Sequence, residues 1–150
     1  MLKVAFTSAN KNDAYLLAEI RAETMRDSLT RVGRFDETRV RERFLKSFDA
    51  NQTWNIEVDD KLIGFFVLTE KPDHLYLDHI YVSKPFQRLG LGQEVIALAK
   101  SIAKEIQLPI RLCALVKSPA NKFYLKCGFH QTHSTALDNF YEYDPQTKNP

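Results

Sequence analysis

The residues best suited to chemistry lie in one stretch of this 150-residue chain, from Asp78 to Gln93. The second half of that stretch, Gln87-Arg88-Leu89-Gly90-Leu91-Gly92, is a glycine-containing loop that opens a helical pattern. Backbone N–H groups at a helix N-terminus attract anions, because the helix dipole is positive there and these groups lack partners within the helix. Glycine in such a loop lets a ligand approach the backbone closely. The stretch therefore predicts a phosphate-binding loop.

Two titratable side chains, Asp78 and His79, stand in the strand pattern just before this loop. They are expected on opposite faces, because side chains alternate along a strand. Histidine has the unperturbed pKa closest to neutrality, and the aspartate could orient it or replace it as a base. Either residue could instead be structural, hydrogen-bonded to a neighbouring strand. If neither residue acts as the base, a water relay from elsewhere would take the proton instead.

The elements around the loop form a predicted βαβ unit. Alternation predicts a strand over residues 75–82, and apolar residues at helical spacing predict a helix over residues 87–107. Residues 110–116 are apolar except for Arg111, which predicts a strand covered on both faces. Two strands joined through one helix are expected to be parallel neighbours.

The chain before this unit predicts a half-buried strand and two amphipathic helices, the second of them capped by Asp36. Residues 53–82 then predict a three-strand antiparallel meander. Gly64, inside the second strand of the meander, indicates a bulge or the close approach of another segment.

The chain after the unit predicts a short helix and a closing hairpin. Ser118-Pro119 is a helix start, Gly128 ends the helix, and residues 129–143 read as two strands. The expected fold class is therefore α/β, with a mixed, mostly antiparallel sheet, one parallel βαβ unit and flanking helices. We expect a single domain over residues 1–150, with residues 144–150 as a frayed tail.

Composition and charge exclude several function classes. Hydrophobic residues make up 44% of the chain, charged residues make up 27% and the net charge is +2, which is ordinary for a globular domain. Lysine and arginine are dispersed, so no nucleic-acid partner is expected. Neither a membrane-spanning run nor a signal-peptide core is present, so the sequence predicts no membrane and a cytoplasmic location. Cys113 and Cys127 are too few and too scattered to predict a metal site or a disulfide framework.

Two common nucleotide-binding motifs do not fit the loop. A Rossmann fingerprint needs a third glycine and an acidic residue near the end of the next strand, and neither is present. A P-loop needs Gly-Lys-Ser/Thr, which is also absent.

The stretch instead resembles motif A of the GCN5-related N-acetyltransferases, the GNAT superfamily. In that motif a similar loop follows a strand that ends in Tyr-Val, as Tyr81-Val82 does here. The segment from Asn121 to Phe129, with Tyr124 and Gly128-Phe129, is similar to motif B of that family. The order of strands and helices agrees over nearly the whole chain. The resemblance implies a GNAT fold and direct transfer of an acetyl group from acetyl-CoA to a primary amine of a small molecule or protein. It implies no metal and a monomer or homodimer.

The same resemblance implies roles for individual residues. Backbone groups of the strand would hold the pantetheine arm, N–H groups of the loop would hold the pyrophosphate, and the Tyr124 hydroxyl would protonate the departing sulfur. A backbone N–H near Val82 would stabilise the oxyanion. The resemblance does not supply the base, which stays open among Asp78, His79 and a water relay. The residues implied for acetyl-CoA binding are Ile80, Tyr81, Val82, Gln87, Arg88, Leu89, Gly90, Leu91, Gly92, Gln93 and Asn121.

Three positions depart from the family pattern. Tyr76 stands where many members have a glutamate base, Arg88 stands where a glycine is common, and Lys117 stands where an asparagine often precedes motif B. Asn121 could take over that asparagine's contact with CoA, or could be a surface helix residue. The missing glutamate keeps a second hypothesis open, a non-catalytic acyl-CoA-binding or regulatory module of the same fold.

Overall fold

The computed structural model describes residues 2–31 and 33–146, without the side chains of Ser28 and His79. Its seven strands are β1 (Val4–Ser8), β2 (Thr53–Val58), β3 (Lys61–Glu70), β4 (Leu75–Val82), β5 (Ile110–Leu115), β6 (His130–Ser134) and β7 (Asp138–Tyr143). Its four α-helices are α1 (Ala14–Arg31), α2 (Glu37–Ser47), α3 (Leu91–Ile106) and α4 (Ala120–Lys126).

The strands form one mixed sheet in the order β1-β2-β3-β4-β5-β7-β6. The pairs β1–β2, β2–β3, β5–β7 and β6–β7 are antiparallel, whereas β4 and β5 are parallel. The described parallel pairing comprises Leu75 with Ile110 and Tyr76 with Arg111. The predicted fold class, with one parallel βαβ unit, is therefore confirmed.

Contacts divide the chain into two compact units. The first comprises the residues up to Val67 together with His79–Leu91. The buried residues Leu17 and Phe44 of its two helices belong to the same hydrophobic cluster as Phe65 on β3. The Phe44 and Phe65 rings lie 5.1 Å apart, and the Phe65 and Tyr81 rings lie 5.3 Å apart. Burial of such rings contributes about 1.5–3 kcal/mol per side chain.

The helix and hairpin signals in the first unit are borne out locally. The Asp36 carboxylate accepts a hydrogen bond from Arg39 N at 3.0 Å, which caps α2 as predicted. The turn between β2 and β3 contains Asp59 and Asp60 at φ 50° and 67°, the conformation of a tight hairpin turn. Both strands of that hairpin belong to the meander predicted over residues 53–82.

The second unit comprises Leu68–Asp78 and the residues from Gly92 onward. Helix α3 buries Val95, Ala99 and Ala103 on one face. Lys100, on another side of this helix, donates a hydrogen bond to the Cys127 carbonyl at the end of α4, and its ammonium lies 4.4 Å from the Tyr143 ring centre. A cation at a helix C-terminus is favourable because the dipole is negative there.

Three predictions concern the start of α3, the burial of β5 and the C-terminal tail. The predicted helix over residues 87–107 begins later, at Leu91, because residues just before it adopt left-handed conformations that a right-handed helix excludes. β5 is buried on one face only, since the Arg111 side chain is exposed on the other and bonds to Glu142 at 2.9 Å. Of the predicted frayed tail, Gln146 bonds to Gln107 at 3.0 Å, and residues 147–150 lie outside the described part of the chain.

Candidate active site

The last residues of β4 are held tightly within the first unit. The Tyr81 hydroxyl donates to the Met25 sulfur at 3.0 Å. Ser83 N donates to the Ile63 carbonyl at 2.8 Å and continues the connection between β3 and the end of β4. The Gln87 side chain, predicted as a cofactor contact, donates to the Val82 carbonyl at 2.8 Å. Gln87 therefore tethers the loop to the strand that precedes it.

Gly64 provides the close approach that its place in the sequence predicted. A Cβ built on Gly64 would lie 2.3 Å from the Tyr81 carbonyl oxygen and 3.2 Å from the Val82 Cα. Real Cβ atoms essentially never show the first of these distances. Only glycine leaves room for the end of β4 at this point of β3, so the prediction of a close approach is confirmed.

The loop after β4 has an unusual backbone. A short 3-10 turn, Lys84–Phe86, is followed by Arg88 at φ 71° and Gly90 at φ 76°. Arg88 thus adopts, without being glycine, the left-handed conformation that glycine favours. Successive N–H groups form an anion-binding concavity where right-handed and left-handed residues follow each other, and this loop has two left-handed residues. Helix α3 starts at Leu91, so its unpaired N–H groups follow directly.

The two glycines of the motif have different roles. A Cβ built on Gly90 would have no described atom within 4 Å, so that side of the loop is open. A Cβ built on Gly92 would lie 3.1 Å from the Phe123 ring, within the second unit. Gly92 therefore serves the close packing of Phe123 against the start of α3, whereas Gly90 leaves space that a ligand can use.

Tyr124 lies in the second unit as a buried side chain with 8% exposure. Its ring is 5.6 Å from Phe123, 6.0 Å from Phe129 and 6.0 Å from Tyr141. The helix that carries it ends at Lys126, and the glycine predicted to terminate it, Gly128, follows at φ 91°. Tyr124 is thus a rigidly packed aromatic residue, and its proposed chemistry concerns only its hydroxyl.

Asn121 has its amide engaged within the chain. Its Nδ2 donates to the carbonyls of Leu115 at 2.8 Å, Ser118 at 2.8 Å and Val116 at 3.3 Å. Its Oδ1 accepts hydrogen bonds from the Asn139 amide at 3.0 Å and from the Tyr141 hydroxyl at 2.7 Å. These contacts favour a structural role over the two alternatives that the sequence left open.

The candidate bases Asp78 and His79 belong to β4, as does Tyr76. Asp78 is exposed near the end of the β4 segment in the second unit, and the side chain of His79 lies outside the described part of the structure. Tyr76, at the position of the family glutamate, is half-buried, and its hydroxyl lies 3.5 Å from the Cys113 sulfur. Burial, followed by the contact with Cys113, raises the pKa of Tyr76 well above its usual range. Tyr76 therefore stays protonated at neutral pH and is no base.

The thiols are likewise protonated. Both cysteines are free. Burial raises the pKa of Cys113, although its contact with Tyr76 acts in the opposite direction. Burial also raises the pKa of Cys127, against the influence of Lys100. Since the thiolate is the nucleophilic form, neither side chain is activated for attack.

One acidic residue near Tyr76 and Cys113 was not predicted from the sequence. Asp138, at the start of β7, stands opposite Leu115 in the register and contributes, with Asp78, to the raised pKa of Tyr76 and of Cys113. Burial is the larger cause for both groups. Only the β5–β7 register brings Asp138 near β5, and that register cannot be derived from local patterns.

A cavity of about 320 Å³ opens in the second unit. Its charged groups are compensated, because Arg111 bonds to Glu142 at 2.9 Å and His74 bonds to Asp73 at 2.6 Å. Aromatic side chains form much of the remaining wall. This arrangement suits the ring or apolar body of a ligand better than a free ammonium group. The lining residues are His74, Tyr76, Arg111, Leu112, Thr132, His133, Phe140, Tyr141 and Glu142.

The family of the chain follows from comparison with known proteins. Residues 17–129 match the model of the acetyltransferase (GNAT) family, and the chain belongs to that family. The comparison with curated protein sequences returned no match.

Solved structures share the fold. PaiA N-acetyltransferase from Thermoplasma acidophilum, in complex with coenzyme A, has a TM-score of 0.80 at 16% identity over 95% of this chain and 99% of its own. Ard1 from Thermoplasma volcanium has a TM-score of 0.68 at 16% identity over 94% and 97%. A proposed streptothricin acetyltransferase from Bacillus anthracis, in complex with acetyl coenzyme A, has a TM-score of 0.56 at 29% identity over 61% of each chain.

In the described part of the chain, no helix combines the length and the apolar character needed to cross a membrane.

Proposed function

We propose that the chain transfers the acetyl group of acetyl-CoA to a primary amine, by direct attack of the amine on the thioester. The observation that carries this proposal is the loop with left-handed Arg88 and Gly90 at the start of α3, in a member of the GNAT acetyltransferase family. The similar structures crystallised with coenzyme A or acetyl coenzyme A support the choice of ligand.

The loop residues fit a diphosphate. Residues 87–90 are exposed, and no described atom lies within 4 Å of a Cβ on Gly90. N–H groups from Arg88 to Gln93 would hold the pyrophosphate, because converging donors and the positive end of the helix dipole both favour an anion. Backbone groups of Ile80, Tyr81 and Val82 would hold the pantetheine arm. When bound, the thioester supplies an activated acyl carbon.

The protein's own groups would then move two protons and stabilise one charge. An alkylammonium has a pKa of about 10.4, so the acceptor must lose a proton before it attacks, and Asp78, His79 or a water would take it. A backbone N–H near Val82 would donate to the developing oxyanion, a contact worth about 10²–10³ in rate in other enzymes. Tyr124 would donate its proton to the departing sulfur.

The acid step is compatible with ordinary acidities. A phenol has a pKa of about 10 and a thiol one of about 8.5, so full transfer from Tyr124 is uphill by about 2 kcal/mol in water. Exclusion of water from the sulfur raises the thiol pKa and reduces this difference. The raised pKa values of Cys113 and Cys127 argue against a covalent acyl-cysteine route.

The second candidate function is a non-catalytic acyl-CoA-binding module. Tyr76 favours it, because a half-buried tyrosine with a raised pKa occupies the position of the family glutamate. Such a module would retain the loop and lack a base.

A thiol-release assay with acetyl-CoA and a broad panel of amines separates the two functions. The enzyme hypothesis predicts that some amines accelerate thiol release, and that Tyr124→Phe lowers kcat by about 100-fold while CoA affinity is retained. Tyr15→Phe is the matched control, because Tyr15 is 76% exposed and lies outside the proposed site. Tight CoA binding without acceleration by any amine, and without an effect of Tyr124→Phe, would establish the binding module instead.

A further inference from the structure

Asn121 joins three elements of the second unit through one amide group. It stands in the first turn of α4, and its Nδ2 donates to carbonyls at the end of β5 and in the connection to α4. Its Oδ1 accepts from the Asn139 amide at 3.0 Å and from the Tyr141 hydroxyl at 2.7 Å, both on β7. The side chain therefore fixes α4 against the two strands that flank it.

The hydrogen-bonding capacity of Asn121 is fully used by these contacts. A side-chain amide has two N–H donors, and its oxygen has two acceptor sites. The two donors are shared by three carbonyls at 2.8 to 3.3 Å, and two donors reach the oxygen. No capacity remains for a bound ligand, so we leave Asn121 out of the proposed CoA contacts.

Asn121 also connects to Tyr124. The two residues are three positions apart on α4, so they lie on neighbouring turns of the same side of the helix. The Tyr141 ring, whose hydroxyl bonds to Asn121, is 6.0 Å from the Tyr124 ring. Tyr141 is 2% exposed and Tyr124 is 8% exposed, so both rings are buried. One contact chain therefore links Asn121, Tyr141 and Tyr124.

Helix α4 depends on such contacts for its orientation. It has seven residues, Ala120–Lys126, and isolated helices of this length are not stable in water. Tertiary contacts must therefore set the rotation of α4 about its axis, which in turn aims the Tyr124 hydroxyl. A misplacement of about 1 Å can cost about 100-fold in rate where a reacting group must be aligned.

We infer that Asn121 is a positioning residue that acts through Tyr124, setting the direction of the phenol by fixing α4 to β5 and β7. This inference rests on the proposed function for its catalytic consequence, whereas its structural part stands on the hydrogen bonds alone.

A double-mutant cycle tests the catalytic consequence. Asn121→Ala in the otherwise natural chain should lower kcat by about tenfold or more, with CoA affinity changed less than twofold. In a Tyr124→Phe background the same substitution should lower kcat no further. Lys122→Ala, on an exposed residue of the same helix, is the control and should change neither value. An equal fall in both backgrounds, or none in either, would overturn the inference.

A second set of variants and a second measurement keep the test decisive. If Asn121→Ala does not fold, Asn139→Ala and Tyr141→Phe each remove one donor to Oδ1 and should give the same cycle at smaller amplitude. Nuclear magnetic resonance of the ring carbons of labelled tyrosine reports on Tyr124 without turnover. Its resonance should move in Asn121→Ala and stay in place in Lys122→Ala. An unmoved resonance would refute the inference, while absence of turnover in the natural chain would refute only the proposed function.

Discussion

Arg88 is a non-glycine residue in a backbone conformation that favours glycine. Its φ of 71° lies in the left-handed region, which costs a residue with a Cβ about 1–2 kcal/mol. The family resemblance places a common glycine at this position, and the structure gives the position the conformation that glycine accommodates best. The chain therefore carries backbone strain next to its proposed phosphate site.

Arg88→Gly should relieve that strain. We expect the free energy of unfolding to rise by about 0.5–1 kcal/mol, because relief of strain exceeds the entropy that glycine adds to the unfolded chain. For a chain of this size, that is an increase in Tm of about 1–4 °C, measurable by thermal denaturation. Arg88→Ala keeps the Cβ and should bring no such gain. A Tm that falls in Arg88→Gly would show that the arginine side chain stabilises the loop.

At the same scale, residues with a purely local role were predictable. The Asp36 cap and the terminating glycine after α4, Gly128, follow from short patterns that need no knowledge of distant residues. Asn121 and Asp138 were not, because their partners come from strands 18 to 20 positions away or from a register between β5 and β7. The role of His79 stays a prediction, since its side chain lies outside the described part of the structure.

Among the elements, the strands and helices were predicted better than their boundaries. Apolar periodicity gave β4 over its full length, from Leu75 to Val82. The same periodicity placed the start of α3 four residues early, because it does not register the backbone conformation of Arg88 and Gly90. The interpretation of β5 as buried on both faces was also wrong, for a different reason. A strand of apolar residues can keep one face half-exposed when an ion pair such as Arg111–Glu142 occupies it.

The contact between β3 and β4 makes its own prediction. Gly64→Ala should destabilise the protein by about 1–3 kcal/mol, because its Cβ would meet the Tyr81 carbonyl at 2.3 Å and backbone must move. Chemical denaturation measures this effect. Gly33→Ala is a comparison in which a glycine is lost through backbone strain alone, since its φ is 69° and no described atom lies within 4 Å of a Cβ there. It should cost about 1–2 kcal/mol without any clash and without an effect on CoA affinity.

The same variant links the strand to the proposed site. Displacement of Tyr81 and Val82 should also weaken CoA binding, if these residues hold the pantetheine arm. A Gly64→Ala protein with natural stability would contradict the close approach, and one with natural CoA affinity would separate the strand end from the site.

For the whole molecule, the fold could be predicted from the pattern and order of the elements together with the resemblance of two motifs to the GNAT family. PaiA N-acetyltransferase superimposes with a TM-score of 0.80 although only 16% of residues are identical, so the fold tolerates replacement of most side chains. The acceptor could not be predicted. The similar structures carry names as different as Ard1 and streptothricin acetyltransferase, so the shared fold does not identify an acceptor.

The central claim is that the loop at Gly90 binds the diphosphate of CoA, and titration calorimetry with CoA tests it most directly. Gly90→Val and Gly33→Val form a matched pair, because both glycines have φ near 70° and neither Cβ would meet a described atom within 4 Å. Both variants should lose similar stability. Only Gly90→Val should lose CoA affinity, by at least about tenfold, or about 1.4 kcal/mol. Equal CoA affinity in the natural chain and in a folded Gly90→Val would contradict the account.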